Sequence, residues 1–221
     1  MDFMELAPYH PEVGYYRRSQ PRIGTSTGTD FYTATSSGPI FGELVAAACA
    51  ALIRSHGGKH EEYAFIEIGA ENEHSMLDGV AHPFASVRTE GIGDPIALDG
   101  RCVLFSNELF DVQPCRRFVR RAGAWHEIGV AERAGQLTEI EIGAVSEPWL
   151  PTGAPEGYRF DAPRAASELA ARIAAQPWHG LFVALDYGKS WAALAAETPA
   201  GTMRELCPSS SAKGLSGLMA W

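Results

Sequence analysis

Three short apolar runs, 63–68 (YAFIEI), 101–106 (RCVLFS) and 181–185 (LFVAL), limit what this chain can fold into more than any other feature. Each is short for a buried helix, and turn-forming or charged residues flank it, which is how a strand covered on both faces reads. Helical stretches alternate with them. Pro39 opens a stretch over 40–55 dense in Ala and Leu, which Gly57-Gly58 closes, and an amphipathic Ala-rich stretch over 163–176 leads into the third run. Strands alternating with helices predict an α/β domain with a parallel sheet. Between the second and third runs the texture changes. Segments 115–120, 125–130 and 137–142 alternate in polarity and are separated by Ala-Gly pairs, so an antiparallel β meander is expected as an insertion over 115–143.

With 221 residues, 46% of them apolar, the chain favours one domain with an ample core and excludes intrinsic disorder. Residues 1–39 are rich in Tyr, Pro, Gly, Ser and Thr and read as ordered loop, and the tail over 207–221 carries no clear period. A net charge of −9 disfavours nucleic acid, whose phosphates select clustered Lys and Arg. Cys49, Cys102, Cys115 and Cys207 form no C-x-x-C pair, which argues against a metal site or a disulfide framework. The start lacks the charged and apolar regions of a signal peptide, and the apolar stretch 44–53 is about half of a membrane span. A cytoplasmic protein without membrane insertion is expected.

Ligands of open α/β sheets bind beyond the carboxyl ends of the strands, so three places stand out. The first is Glu67-Ile68-Gly69 with Ala70-Glu71-Asn72-Glu73-His74. Gly69 suits a tight cofactor loop; an ordinary strand-to-helix turn, with acids at a helix N-terminus, explains the segment as well. The second, Ser106 to Pro114, brings Asn107, Glu108 and Asp111 to one strand end as candidate catalytic groups, against a helix-capping Asn107 and a solvated Asp111. The third is Asp186-Tyr187-Gly188, able to orient a substrate amine or guanidinium, or else a capping Asp beside a surface Tyr. Upstream, the polar segment from Gly28 to Thr33 could fold over a ligand as a lid. The histidines are scattered, and neither a G-x-S-x-G elbow nor a P-loop occurs.

Taken in order, Gly14-Tyr15-Tyr16, Gly28 with Asp30-Phe31 and Thr33, Phe41-Gly42-Glu43, Glu67-Ile68-Gly69, Asp78, Asn107-Glu108 with Asp111 and Pro114, Asp186-Tyr187-Gly188, and Gly201-Thr202 with Arg204 resemble the MidA-like family. These are class I S-adenosylmethionine-dependent methyltransferases whose mitochondrial members assist respiratory complex I assembly by methylating an arginine. The resemblance implies a Rossmann-like sheet with the three runs as its first, fourth and fifth strands, and S-adenosylmethionine as cofactor. It places cofactor contacts on Glu67 and Gly69 and on Gly28, Asp30 and Thr33 of the covering segment. Asn107, Glu108 and Asp111 become the catalytic turn, Asp186 and Tyr187 the substrate contacts, and the partner a protein such as a respiratory-complex subunit. The chain also departs from the family. Its loop reads Gly69-Ala70-Glu71-Asn72-Glu73 where the family has G-P-G-R-G, and Ala34-Thr35-Ser36 stands for the S-P-E of T-S-P-E. A fold retained as a non-catalytic binding module or assembly factor is the alternative. The family's second strand ends in a ribose-binding acid; Glu90 could replace it, although the spacing favours 84–98 as the third strand, with the second deleted.

Overall fold

The structure, a computed structural model, describes residues 3–17, 38–70, 74–91, 94–206 and 218–220. It forms two compact units, one of Gln20–Leu109 with Leu169–Asp186, the other of Met1–Ser19, Phe110–Glu168 and Tyr187–Trp221. In the second unit, helix α1 (Phe3–Tyr9) corrects the expectation of a loop throughout 1–39. Pro8 disguises it in the sequence. A proline in the last turn of so short a helix gives up little beyond one amide bond to the residue four before it. The Gly14-Tyr15-Tyr16 motif then follows tightly, because a Cβ on Gly14 would lie 2.3 Å from the His10 nitrogen. Tyr9 stacks on Tyr16 at 5.4 Å and donates its hydroxyl to the Val112 carbonyl at 2.9 Å.

Helix α2 (Pro39–Ser55) starts on Pro39 after Gly38, whose φ of 76° only glycine adopts without strain. Its inner face of Val45, Ala46, Cys49 and Ile53 packs on Phe65, Leu77, Val80, Phe84, Val103 and Phe105. Burying each large side chain contributes roughly 1.5–3 kcal/mol. A Cβ on Gly42 would come 2.4 Å from the Met76 carbonyl oxygen, so the glycine of Phe41-Gly42-Glu43 is where helix and turn touch. Gly57, at φ 77°, ends the helix where the paired glycines predict.

Strands β1 (Ala64–Ala70), β2 (Ser86–Gly91) and β3 (Gly100–Asn107) follow. They join β8 (Trp178–Leu185) in a parallel sheet ordered β2-β1-β3-β8, as the alternating pattern predicts. One expectation fails here. Residues 84–98 are not a third strand beside a deleted second one, because β2 pairs directly with β1 and Glu90 lies opposite Ile68. The sequence hid this because SVRTEG is a polar edge strand with no apolar run.

The antiparallel sheet of the other unit is ordered β6-β5-β4-β7. Its strands are β4 (Arg116–Arg121), β5 (Ala124–Arg133), β6 (Gln136–Val145) and β7 (Arg159–Ala162). The three meander strands are those the alternation predicts. Both Ala-Gly turns take positive φ at each residue, 50° and 75° at Ala122-Gly123 and 52° and 78° at Ala134-Gly135, as type I′ hairpins demand. β7 was not foreseen. The core holds Phe118, Trp125, Leu150, Tyr158, Phe160 and Ala162. Trp125 Nε1 donates to the Pro151 carbonyl at 2.9 Å, which satisfies its one buried donor. Helix α3 (Arg164–Ala174) precedes β8, and helix α4 (Trp191–Ala196) follows it, capped by the Ser190 hydroxyl. Strands β9 (Arg204–Leu206) and β10 (Leu218–Ala220) pair with each other, and the rest of the 207–221 tail lies outside the described residues. No helix of the described residues is long and apolar enough to cross a membrane.

Candidate functional site

Four parallel strands of one unit end together, and their carboxyl ends carry Glu90, Glu67 with Gly69, Asn107 with Glu108, and Asp186. Glu67 is 6% exposed, and one of its carboxylate oxygens accepts from the Ser75 hydroxyl at 2.9 Å and from the Met76 N–H at 2.8 Å. Burial pushes its pKa up; the two hydrogen bonds oppose that, and Asp78 adds to it. The carboxylate thereby ties the far side of the loop back to the strand that starts it. Residues 74–80 form a bend and turns rather than a helix, so the helix-terminus reading of this segment does not hold. Glu71 and Glu73 lie outside the described residues, as do Gly28, Asp30 and Thr33.

Gly69 has φ 79°, and a Cβ built on it would stand 2.7 Å from the Leu109 Cδ1 methyl. Leu109 is 5% exposed and carries no polar group, so the strand-end rule does not single it out from Phe110 and Val112 in the same turn. Gly69→Ala is expected to lower stability by roughly 2–4 kcal/mol, from left-handed backbone and from a methyl forced into packed space. Urea denaturation checks this. In a Leu109→Ala background the same change should cost only the backbone part, about 1–2 kcal/mol; an undiminished penalty would refute the contact.

At the end of β3, Glu108 holds φ 51°, an uncommon conformation for a residue with a side chain. Its N–H donates to the Leu185 carbonyl at 2.8 Å, which fastens this turn to the end of β8. Glu108 and Asp186 are thus brought to adjacent strand ends. Burial raises the Glu108 pKa first, and the Asp186 charge raises it further. No helix starts at Asn107 and the helix after Asp186 is capped by Ser190, so neither residue has the capping role weighed above. Ser106, fully buried beside them in β3, has a hydroxyl with no hydrogen-bond partner among the described residues. Asp111 and Tyr187 belong to the other unit. There Asp111 adds to burial in raising the Tyr9 phenol pKa, while Tyr187 is 72% exposed.

A family model described as "Putative S-adenosyl-L-methionine-dependent methyltransferase" matches residues 61–213. No curated protein matches the sequence. Among solved structures, a COG1565 superfamily member from Burkholderia thailandensis bound to S-adenosyl-homocysteine is similar, with a TM-score of 0.74 and 21% identity over 91% of this chain and 61% of its own. A second COG1565 superfamily protein from the same organism has a TM-score of 0.70 and 21% identity, covering 99% of this chain and 65% of that one. This chain therefore spans less than two thirds of either structure's length, and it shares their fold. With more than half of its residues matched by the family model, the chain belongs to that family of S-adenosyl-L-methionine-dependent methyltransferases.

Proposed function

We propose that the chain binds S-adenosylmethionine at the ends of β1 and β2 and transfers its methyl group to an arginine of a partner protein, a respiratory-complex subunit being the kind the MidA-like resemblance implies. The observation that carries this is the Glu108–Asp186 pair, two carboxylates next to Gly69 at neighbouring strand ends. The residues fit the cofactor. Gly69, at φ 79°, makes the tight turn at the end of β1 that a cofactor loop needs, with Leu109 packed on the side a Cβ would take, and Glu90 ends the strand beside β1, where the family's ribose-binding acid stands.

Bound S-adenosylmethionine supplies an electrophilic methyl on a sulfonium, so the protein needs chiefly to position the acceptor. Glu108 and Asp186 hold the guanidinium by charge-assisted hydrogen bonds. The Glu108 carboxylate would accept the proton that the guanidinium nitrogen sheds on methylation. Burial and Asp186 together raise its basicity for this task. The resemblance of Asn107-Glu108 with Asp111 to the family's motif is what supports Asp111 as a further catalytic residue. Cys49 and Cys102 are buried thiols outside any disulfide, in keeping with a reducing compartment such as the cytoplasm.

Glu71 and Glu73, in place of the family's loop glycines, favour a second reading in which the fold survives as a binding module. Calorimetric titration with S-adenosylmethionine and its demethylated product separates the two. Saturable binding of both, followed by methylated arginine in mass spectra of a partner, is expected. No heat at millimolar ligand would end the proposal, and binding without turnover would leave the module.

A further inference from the structure

The outer face of α2 has no use in the site above. Its inner residues are spent on the core, yet Ile40 and Leu44 are each 65% exposed. At 100° per residue Ile40, Leu44, Ala47, Ala48 and Ala51 fall in one stripe along the helix, opposite the buried face, and all five are exposed. A continuous apolar stripe on a helix marks an interaction surface more often than isolated exposed residues do. The stripe is graded, with large side chains in its first half and alanines in its second. One edge carries Glu43 near the start and Arg54 near the end, neither paired with a described residue.

We propose that this face docks on the same face of a second copy of the chain, the two α2 helices running antiparallel about a two-fold axis near Ala48. Charge and size both select this occupant. A two-fold axis perpendicular to antiparallel helices keeps each edge on its own side, so Glu43 of one copy meets Arg54 of the other, twice. Leu44 of each copy lies against the turn of the other that carries Ala51, and Ala47 and Ala48 at the crossing let the backbones approach closely. A parallel pair would put the Glu43 and Arg54 edges of the two helices on opposite sides of the interface, where they cannot pair, and would set large residues against large. A membrane surface is a poorer match, because the stripe is not flanked by a row of Lys and Arg. An isologous helix pair of this length lies near the low end of stable interfaces, about 1,000 Å² in total, so association in the micromolar range is expected.

Sedimentation velocity of the full chain between about 1 and 200 μM, a range chosen to bracket that affinity, should show a reversible monomer–dimer equilibrium. Leu44→Asp should abolish the dimer over this range, with circular dichroism unchanged, because the side chain is exposed. Glu43→Arg and Arg54→Glu should each weaken association by about tenfold or more, and the double substitution should recover most of it. A chain monomeric throughout would overturn the proposal. So would a dimer indifferent to Leu44→Asp, a charge swap that fails to rescue, or a chain that instead sediments with anionic phosphatidylserine vesicles through Leu44.

Discussion

Glu108→Gln should lower methyl transfer by two to four orders of magnitude, the range removal of a positioned proton acceptor commands, while the affinity for S-adenosylmethionine stays within a few-fold. Glutamine has the same size, can take the same φ of 51°, and keeps the N–H bond to Leu185. What it loses is the charge that holds a guanidinium and the lone pair that accepts its proton. Folding should not suffer. A carboxyl whose pKa is raised in the folded state opposes folding once pH exceeds its unfolded value, so removing it should leave the melting temperature at pH 7 to 8 equal or higher. Asp186 provides a pH test of the same assignment. Its charge is the second cause of the raised Glu108 pKa, so Asp186→Asn should let that pKa fall. The acid limb of kcat/KM against pH rises as Glu108 deprotonates and should move to lower pH in the variant. Wild-type turnover by Glu108→Gln, or an unmoved limb, would remove Glu108 from the chemistry.

Much of this site was legible before any coordinates, for a reason that also sets its limit. The strand-end rule needs only the runs that become β1, β3 and β8, and those runs are apolar enough to betray themselves. Glu67, Gly69, Asn107, Glu108 and Asp186 follow from reading the next residues along. The pairing of Glu108 with Asp186 does not follow, because it depends on β3 lying beside β8 in the sheet order. Leu109 was illegible since its role is steric, set by its distance from Gly69. β2 escaped because an edge strand with polar alternation carries no apolar run, and with it went the placement of Glu90 beside Ile68. Pro8 concealed α1 in the same way that brevity and a buried acid concealed β7.

That buried acid has the largest expected effect on stability. Asp161 in β7 is 2% exposed and accepts four hydrogen bonds, from Arg117 Nε at 2.7 Å, Arg117 Nη2 at 3.1 Å, the Thr202 N–H at 2.6 Å and the Met203 N–H at 2.9 Å. It also explains the Gly201-Thr202 motif physically. Gly201 has φ 82°, and a Cβ on it would lie 2.4 Å from an Asp161 oxygen, so the glycine lets the chain bend over the carboxylate and point two amides at it. Burial alone would lower the Arg117 pKa, but its bonds and charge contacts with Asp161 and Glu139 outweigh that and raise it. Asp161→Ala strands this guanidinium with Glu139 alone and leaves two backbone donors unmet, for a loss of about 3–5 kcal/mol. Arg117→Met made together with Asp161→Ala should cost less than the two single changes added, because no unpaired charge remains buried. The double variant still has the Thr202 and Met203 amides to satisfy and so should stay below wild type by about 1–3 kcal/mol. Urea denaturation of the four proteins gives the coupling, and hydrogen exchange at Thr202 and Met203 should quicken in both Asp161 variants. An Asp161→Ala protein within about 1 kcal/mol of wild type, the worth of a single ordinary hydrogen bond, would show that the carboxylate does not hold this unit together.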